Sequence, residues 1–114
     1  MKSDALHEEL RKFVRDHPHG WGHDDWLRLL FHLSENGVDT ADEDAIGLAL
    51  EGERLRRTLA DLGVKGLGPK RIEAVAEHFG TVWNLKDASW EAVAEVQGVS
   101  GTLAREMVKR IRQS

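Results

Sequence analysis

An all-α fold of about six helices is predicted for this chain, with turn-helix units concentrated at its C-terminal end and an N-terminal helical extension packed on them. Three observations predict it. Apolar residues recur three and four positions apart through most of the chain, which places them on single helix faces. No stretch alternates apolar and polar residues with period two, so no sheet is expected. Glycine-, proline- and asparagine-bearing breaks separate the helical patterns at short intervals.

Leu6, Leu10, Phe13 and Val14 share a face behind Ser3 and Asp4, either of which can cap the N-terminus, and the first helix runs to about Asp16. His17-Pro18-His19-Gly20 stops it, because proline disfavours helical geometry in the residue before it. A second helix spans about Asp24 to Glu35. Its stripe is Trp26, Leu29, Leu30 and Leu33, widened by Leu27 and Phe31, and Asn36-Gly37 ends it. Thr40 to Glu43 reads as a capping box, so a third helix begins near Ala41. Ile46, Ala49 and Leu50 continue, after a change of phase near Gly52, into Leu55, Leu59 and Leu62. One bent helix or two consecutive helices satisfy this pattern; a glycine inside a helix costs only ~1 kcal/mol, which favours one long helix.

The stretch Val64 to Phe79, VKGLGPKRIEAVAEHF, organises the rest. Gly66 and Gly68 bracket Leu67, and Pro69 follows where a helix can begin without its N–H. That is a tight turn opening into a helix N-terminus. The first N–H groups of such a helix have no internal acceptor and carry the positive end of its dipole, so they suit an anion. Lys70 and Arg71 add full charge at the same place, and the chemistry implied is phosphate binding. Ile72, Val75, Ala76 and Phe79 form the helix stripe, closed by Gly80. Thr81 to Leu85 allows one helical turn. Ser89 caps a helix from Trp90 to Val96, and a last helix beside Thr102 turns Leu103, Ala104, Met107, Val108 and Ile111 inward. Its entry, VQGVSGTLAREM from Val96 to Met107, is a degraded echo of the first stretch.

From about Leu59 to Arg112 the chain resembles a tandem helix-hairpin-helix domain, a twice-repeated pattern of apolar residue, any residue, Gly, apolar residue, Gly and helix. The C-terminal domains of the excision-nuclease subunit UvrC and of XPF-type nucleases are the nearest in kind. Val64, Gly66, Leu67 and Gly68 match the first hairpin, and Val96, Gly98 and Val99 match the second as far as Ser100, which replaces the final glycine. Ile72 stands where a small residue is common. The resemblance divides the chain into an acidic helical region, residues 1–52, for which no family is recognised, and a tandem domain, residues 53–114.

Composition sets limits on this picture. A chain of 114 residues holds one domain or two very small ones. It has no cysteine, no signal-peptide core and no apolar run long enough for a bilayer, so a cytoplasmic location without membrane contact is expected. The formal net charge of -4 argues against nucleic acid until its distribution is examined. Residues 1–62 hold 8 Lys plus Arg against 14 Asp plus Glu, whereas residues 63–114 hold 8 against 6.

With both hairpins pointing one way, the resemblance implies non-catalytic, sequence-independent binding of duplex or junction DNA through phosphates, in repair or recombination. Gly66, Leu67 and Gly68 supply backbone approach, and Lys70 and Arg71 supply ionic contacts. Gly98, Ser100, Gly101, Thr102 and Arg105 form a weaker second grip, in which Gly101 restores backbone freedom that Ser100 removes. The competing reading is a protein-pairing module, since the family also uses the fold for that purpose. The acidic N-terminal half is a candidate contact for a protein partner. No catalytic residue is identified: neither Lys65 nor Lys70 has surroundings that would activate an amine, and no carboxylate cluster precedes the hairpins. No cofactor is expected. His17, His19 and His23 with Asp24 and Asp25 have ligand-like spacing, but helix-start duty explains the aspartates and no metal is assigned. Trp83 and Trp90 are expected to plug the junction between repeats, Trp26 to join the core, and Trp21 to fold back over the second helix.

Overall fold

Among the described residues, three- and four-residue apolar spacing becomes seven α-helices: α1 (Lys2–Asp16), α2 (His23–Glu35), α3 (Glu43–Asp61), α4 (Pro69–Phe79), α5 (Val82–Asp87), α6 (Trp90–Ala94) and α7 (Gly101–Gln113). The computed structural model describes the backbone of residues 2–113 and the side chains of residues 5–113; the cap expected at Ser3 or Asp4 falls outside the described side chains. The described residues contain no strand. The chain divides into two compact units, Met1–Glu53 and Arg54–Ser114, and the division lies within α3.

In the first unit Leu10 and Val14 of α1, Leu29 and Leu33 of α2, and Ile46 and Leu50 of α3 form the core. Its loop folds onto α1. His17 Nδ1 donates to the Phe13 carbonyl at 2.8 Å and its ring stacks on Phe13, while Trp21 meets the same ring edge-on at 5.2 Å. Trp21 therefore rests against Phe13 of α1 and packs on the core that α1, α2 and α3 share. The helix starts are polar: Asp25 accepts the Gly22 N–H at 3.0 Å, and Asp42 accepts the Ala45 N–H at 3.0 Å. Asp42 thus replaces Thr40 as the cap of α3, and the helix begins two residues later than the capping-box pattern predicts. A carboxylate one residue before the first helical turn competes better for the free amides than a hydroxyl farther out. The widened α2 stripe is also corrected, because Leu27 and Phe31 are 47% and 67% exposed.

Charged contacts tie the helices of this unit. Glu53, the buried charged residue of α3, is met from α1 by His7 at 3.3 Å and Arg11 at 3.8 Å, which offsets the cost of its burial. Glu9 of α1 takes His32 of α2 at 2.8 Å and Lys12 at 3.5 Å.

The second unit is built around Leu55 and Leu59 of α3, Val75 and Ala76 of α4, Val82 and Leu85 of α5, Val93 of α6, and Ala104, Met107, Val108 and Ile111 of α7. The helix α3 is continuous through Gly52, with Ile46 and Leu50 in one core and Leu55 and Leu59 in the other. Thr81 Oγ1 and Ser89 Oγ accept the Asn84 and Ala92 N–H groups and start α5 and α6. The α5 helix extends to Asp87, past the single turn expected, while α6 stops at Ala94 short of Val96. Trp83 points away from the core and is 65% exposed, so it plugs no junction; Trp90 packs against the core as expected.

The hydrogen bond from His32, followed by the charge of Lys12, holds the Glu9 carboxyl below its ordinary value of 4.5. A carboxylate depressed in the folded state stabilises above that ordinary value and loses the contribution as pH falls through the lower one. Melting temperature should accordingly fall less steeply for Glu9→Gln than for the wild type between about pH 6 and about pH 3.

Candidate nucleic-acid interface

Two turns with one geometry lead into α4 and α7. Leu67 N–H donates to the Val64 carbonyl and Val99 N–H to the Val96 carbonyl, each at 3.1 Å. Gly66 and Gly98 occupy the third turn position with φ of 89° in both, and no described non-glycine residue has positive φ. These are type II turns, whose third residue needs a left-handed backbone. Val64, Val96 and Val99 are buried, whereas Gly66 and Gly98 are exposed, so each bend is anchored in the core and presented to solvent.

The helices then start in parallel fashion. Gly68 is the extended N-cap of α4, with Pro69 next, and its carbonyl accepts the Ile72 N–H at 3.0 Å. Ser100 holds the equivalent place before α7: its carbonyl accepts the Ala104 N–H at 2.9 Å and its Oγ the Leu103 N–H at 3.2 Å. The serine that replaces the second hairpin's last glycine therefore acts as a side-chain cap, and α7 begins at Gly101, one residue before Thr102. Gly101 restores no backbone freedom, since its φ is not positive; it is the first residue of α7, where a Cβ would lie 3.5 Å from Trp90. The N–H groups of Lys70, Arg71, Gly101 and Thr102 donate to no described partner and remain the open amides of the two helix starts.

Between the turns lies a cleft of about 430 Å³ lined by Gly68, Pro69, Lys70, Arg71, Gln97 and Gly98. Arg71 spans it. Its Nε donates to the Gly98 carbonyl at 2.7 Å and its Nη1 to the Gly66 carbonyl at 3.0 Å. The side chain expected as a free ionic contact is thus engaged by both turns. Gln97, which the sequence reading passed over, sits in the second turn where Lys65 sits in the first. The spacing of the two hairpin patterns could have found it.

Other basic side chains have local duties. Arg105 stacks on Trp90, with its guanidinium carbon 4.1 Å from the ring centre. Arg110 donates to the Leu62 carbonyl, and Arg112 to those of Lys86 and Ala88, satisfying acceptors at the ends of α3 and α5. Lys65, Lys70 and Lys109 make no described contact of this kind and are exposed. Residues 54–114 hold 11 Lys plus Arg against 7 Asp plus Glu, while residues 1–53 hold 5 against 13. The basic excess belongs to the unit with the turns. His17 is occupied with the Phe13 carbonyl, and no group of three or more His, Asp or Glu among the described residues is arranged to hold a metal ion.

No atom lies within 4 Å of a Cβ built on Gly66 or Gly98, so an alanine there meets only backbone strain. Gly66→Ala and Gly98→Ala should each lower unfolding free energy by about 1–2 kcal/mol in denaturant titrations. Gly68→Ser, which installs the cap that Ser100 provides, should raise it by about a few tenths of a kcal/mol, because glycine is itself a tolerable N-cap, and Ser100→Ala should lower it by about 1 kcal/mol.

Comparison with known proteins places this geometry. The pattern of the family described as the SAM-like helix-hairpin-helix tandem matches residues 57–113. The chain is 36% identical over 83 residues to the UvrABC system protein C of Vibrio parahaemolyticus, a span of 72% of this chain and 14% of that protein. Against the protein of the same name from Corynebacterium aurimucosum it is 40% identical over 90 residues, 77% of this chain and 12% of the relative. With that of Coxiella burnetii it shares 33% over 99 residues, 82% and 16%. The chain spans about one seventh of the length of these relatives. The shared spans are longer than residues 57–113 can hold, so the likeness reaches into the N-terminal half. No solved structure matches the chain. Two equivalent turns, each feeding a helix, and the match over residues 57–113 make this chain a member of the SAM-like helix-hairpin-helix tandem family.

Proposed function

We propose that this protein binds DNA without reading its sequence, in excision repair, by seating backbone phosphates at the two turn-helix starts. The observation that carries the reading is the shared cleft: the start of α4, with its open amides at Lys70 and Arg71, and the second glycine bend at Gly98 line one basic opening, and Arg71 bonds the glycine carbonyls of both turns. Residues 53–114 are the binding module in this reading, and residues 1–52 are an acidic helical region beside it in sequence. Gly66, Leu67, Gly68 and Lys70 make the first grip, with Lys65 joining it. Gly98, Ser100, Gly101, Thr102 and Arg105 make the second. Amides and lysines attract phosphate but distinguish no base, so the contacts position the chain on a backbone. Preference for a duplex or a junction follows from two grips held at one spacing.

The role is non-catalytic. The relatives are several times longer than this chain, and what their other regions do is not carried over. Among the described residues no helix is long and apolar enough to cross a membrane. A second reading concerns the first unit, where Leu27 and Phe31 are exposed four residues apart on α2. That apolar edge on an acidic unit suits docking to a protein, with the tandem unit free for DNA.

Salt separates these modes. With about four phosphates neutralised, a fourfold rise in salt should weaken duplex binding on the order of a hundredfold, measured by anisotropy on duplex, forked and single-stranded DNA. Changing Lys65 and Lys70 together to Glu should cut that salt effect to roughly tenfold, since two contacts are lost. Absence of duplex binding, together with a self-association that the same rise in salt leaves unchanged, would instead indicate a protein-pairing surface.

A further inference from the structure

We propose that Arg71 is a positioning residue: a strut that joins the two hairpin turns and lets them meet a phosphate backbone as one rigid unit. The proposal rests on the DNA-binding reading for its purpose, but its structural content stands apart from DNA.

Each turn leaves one carbonyl, that of its left-handed glycine, beside the cleft. Gly66 and Gly98 belong to different repeats, and the Arg71 guanidinium is the group that takes both carbonyls, at 3.0 Å and 2.7 Å. A guanidinium has five N–H donors in a planar fork, so a bond from Nε and another from Nη1 fix the direction of the second acceptor once the first is set. An ammonium on a flexible stem holds no such angle. Arg71 thus transmits the position of one turn to the other across a cleft that otherwise contains no bond between them among the described residues.

The strut also has an electrostatic effect. Two carbonyl oxygens beside a phosphate site present negative ends to the anion. Covering them with a cation leaves the amides of Lys70, Arg71, Gly101 and Thr102 as the outward dipoles. Three guanidinium N–H groups remain beyond the two used, on a side chain that is exposed. Arg71 is exposed and lies outside both hydrophobic cores, so its replacement leaves the packed interior untouched.

Amide hydrogen exchange in the absence of DNA is the first test, comparing wild type, Arg71→Lys, Arg71→Ala and Lys70→Ala. The turn amides of Leu67 and Val99 should exchange about tenfold faster in both Arg71 variants and at the wild-type rate in Lys70→Ala. Wild-type exchange at both amides in Arg71→Lys and Arg71→Ala would overturn the strut. Duplex titration at several salt concentrations is the second. Arg71→Lys should lose about tenfold in affinity with an unchanged salt slope, whereas Lys70→Ala should lower the slope by about one contact. If Arg71→Lys binds like wild type and only Arg71→Ala loses slope, Arg71 is a simple phosphate ligand and the strut is wrong. If the wild type binds no DNA, the DNA reading fails while the exchange rates still decide whether the two turns are joined.

Discussion

Each hairpin depends on a bend that must face solvent while the residues flanking it are held inside. Val64 secures the first turn, and Val96 and Val99 the second, within the same core as α4 and α7. The glycine between the anchors takes a backbone angle that other residues adopt at a cost. Burial on both sides of the bend leaves little freedom for its direction. The helix that follows must then start at the surface, with its first amides unpaired, and the candidate site is a by-product of packing.

Charge follows the same division as packing. The unit carrying the turns has a basic excess and the other unit an acidic one, although the whole chain is acidic. Most arginines of the tandem unit also hold the fold together. Arg71, Arg110 and Arg112 cover carbonyls, and Arg105 lies on Trp90. An arginine can do this without losing its charge, because its donors exceed what one acceptor uses. The lysines at the first turn, with a flexible stem and a point charge, are left for solvent or a ligand.

The helices were legible because long segments of three- and four-residue spacing are governed by burial, and the turn glycines because only backbone conformation explains them. What escaped were choices made between neighbours. Thr40 and Asp42 both precede α3, and only the coordinates show which oxygen reaches an amide. Trp83 looks like a plug by its position in the connector, yet a six-residue helix has one inward face, and Val82 and Leu85 already fill it. Arg71 follows Lys70 in sequence and shares its charge, but helix rotation turns it toward the opposite hairpin, a contact 27 residues away that no local pattern encodes. Ser100 reads as a missing glycine until its hydroxyl is seen on the Leu103 amide.

The division of labour between arginines and lysines has a kinetic consequence. A polyanion within a screening length of the turns responds to every cation of the tandem unit, including those engaged with carbonyls, whereas close contact engages only the few side chains that can still move. On the proposed reading, the local field of the tandem unit draws DNA to the turns against the chain's net charge of -4, and residence is limited by a small number of contacts. Such a module arrives quickly, departs quickly and samples many positions along a duplex, which suits a protein that must search without reading bases.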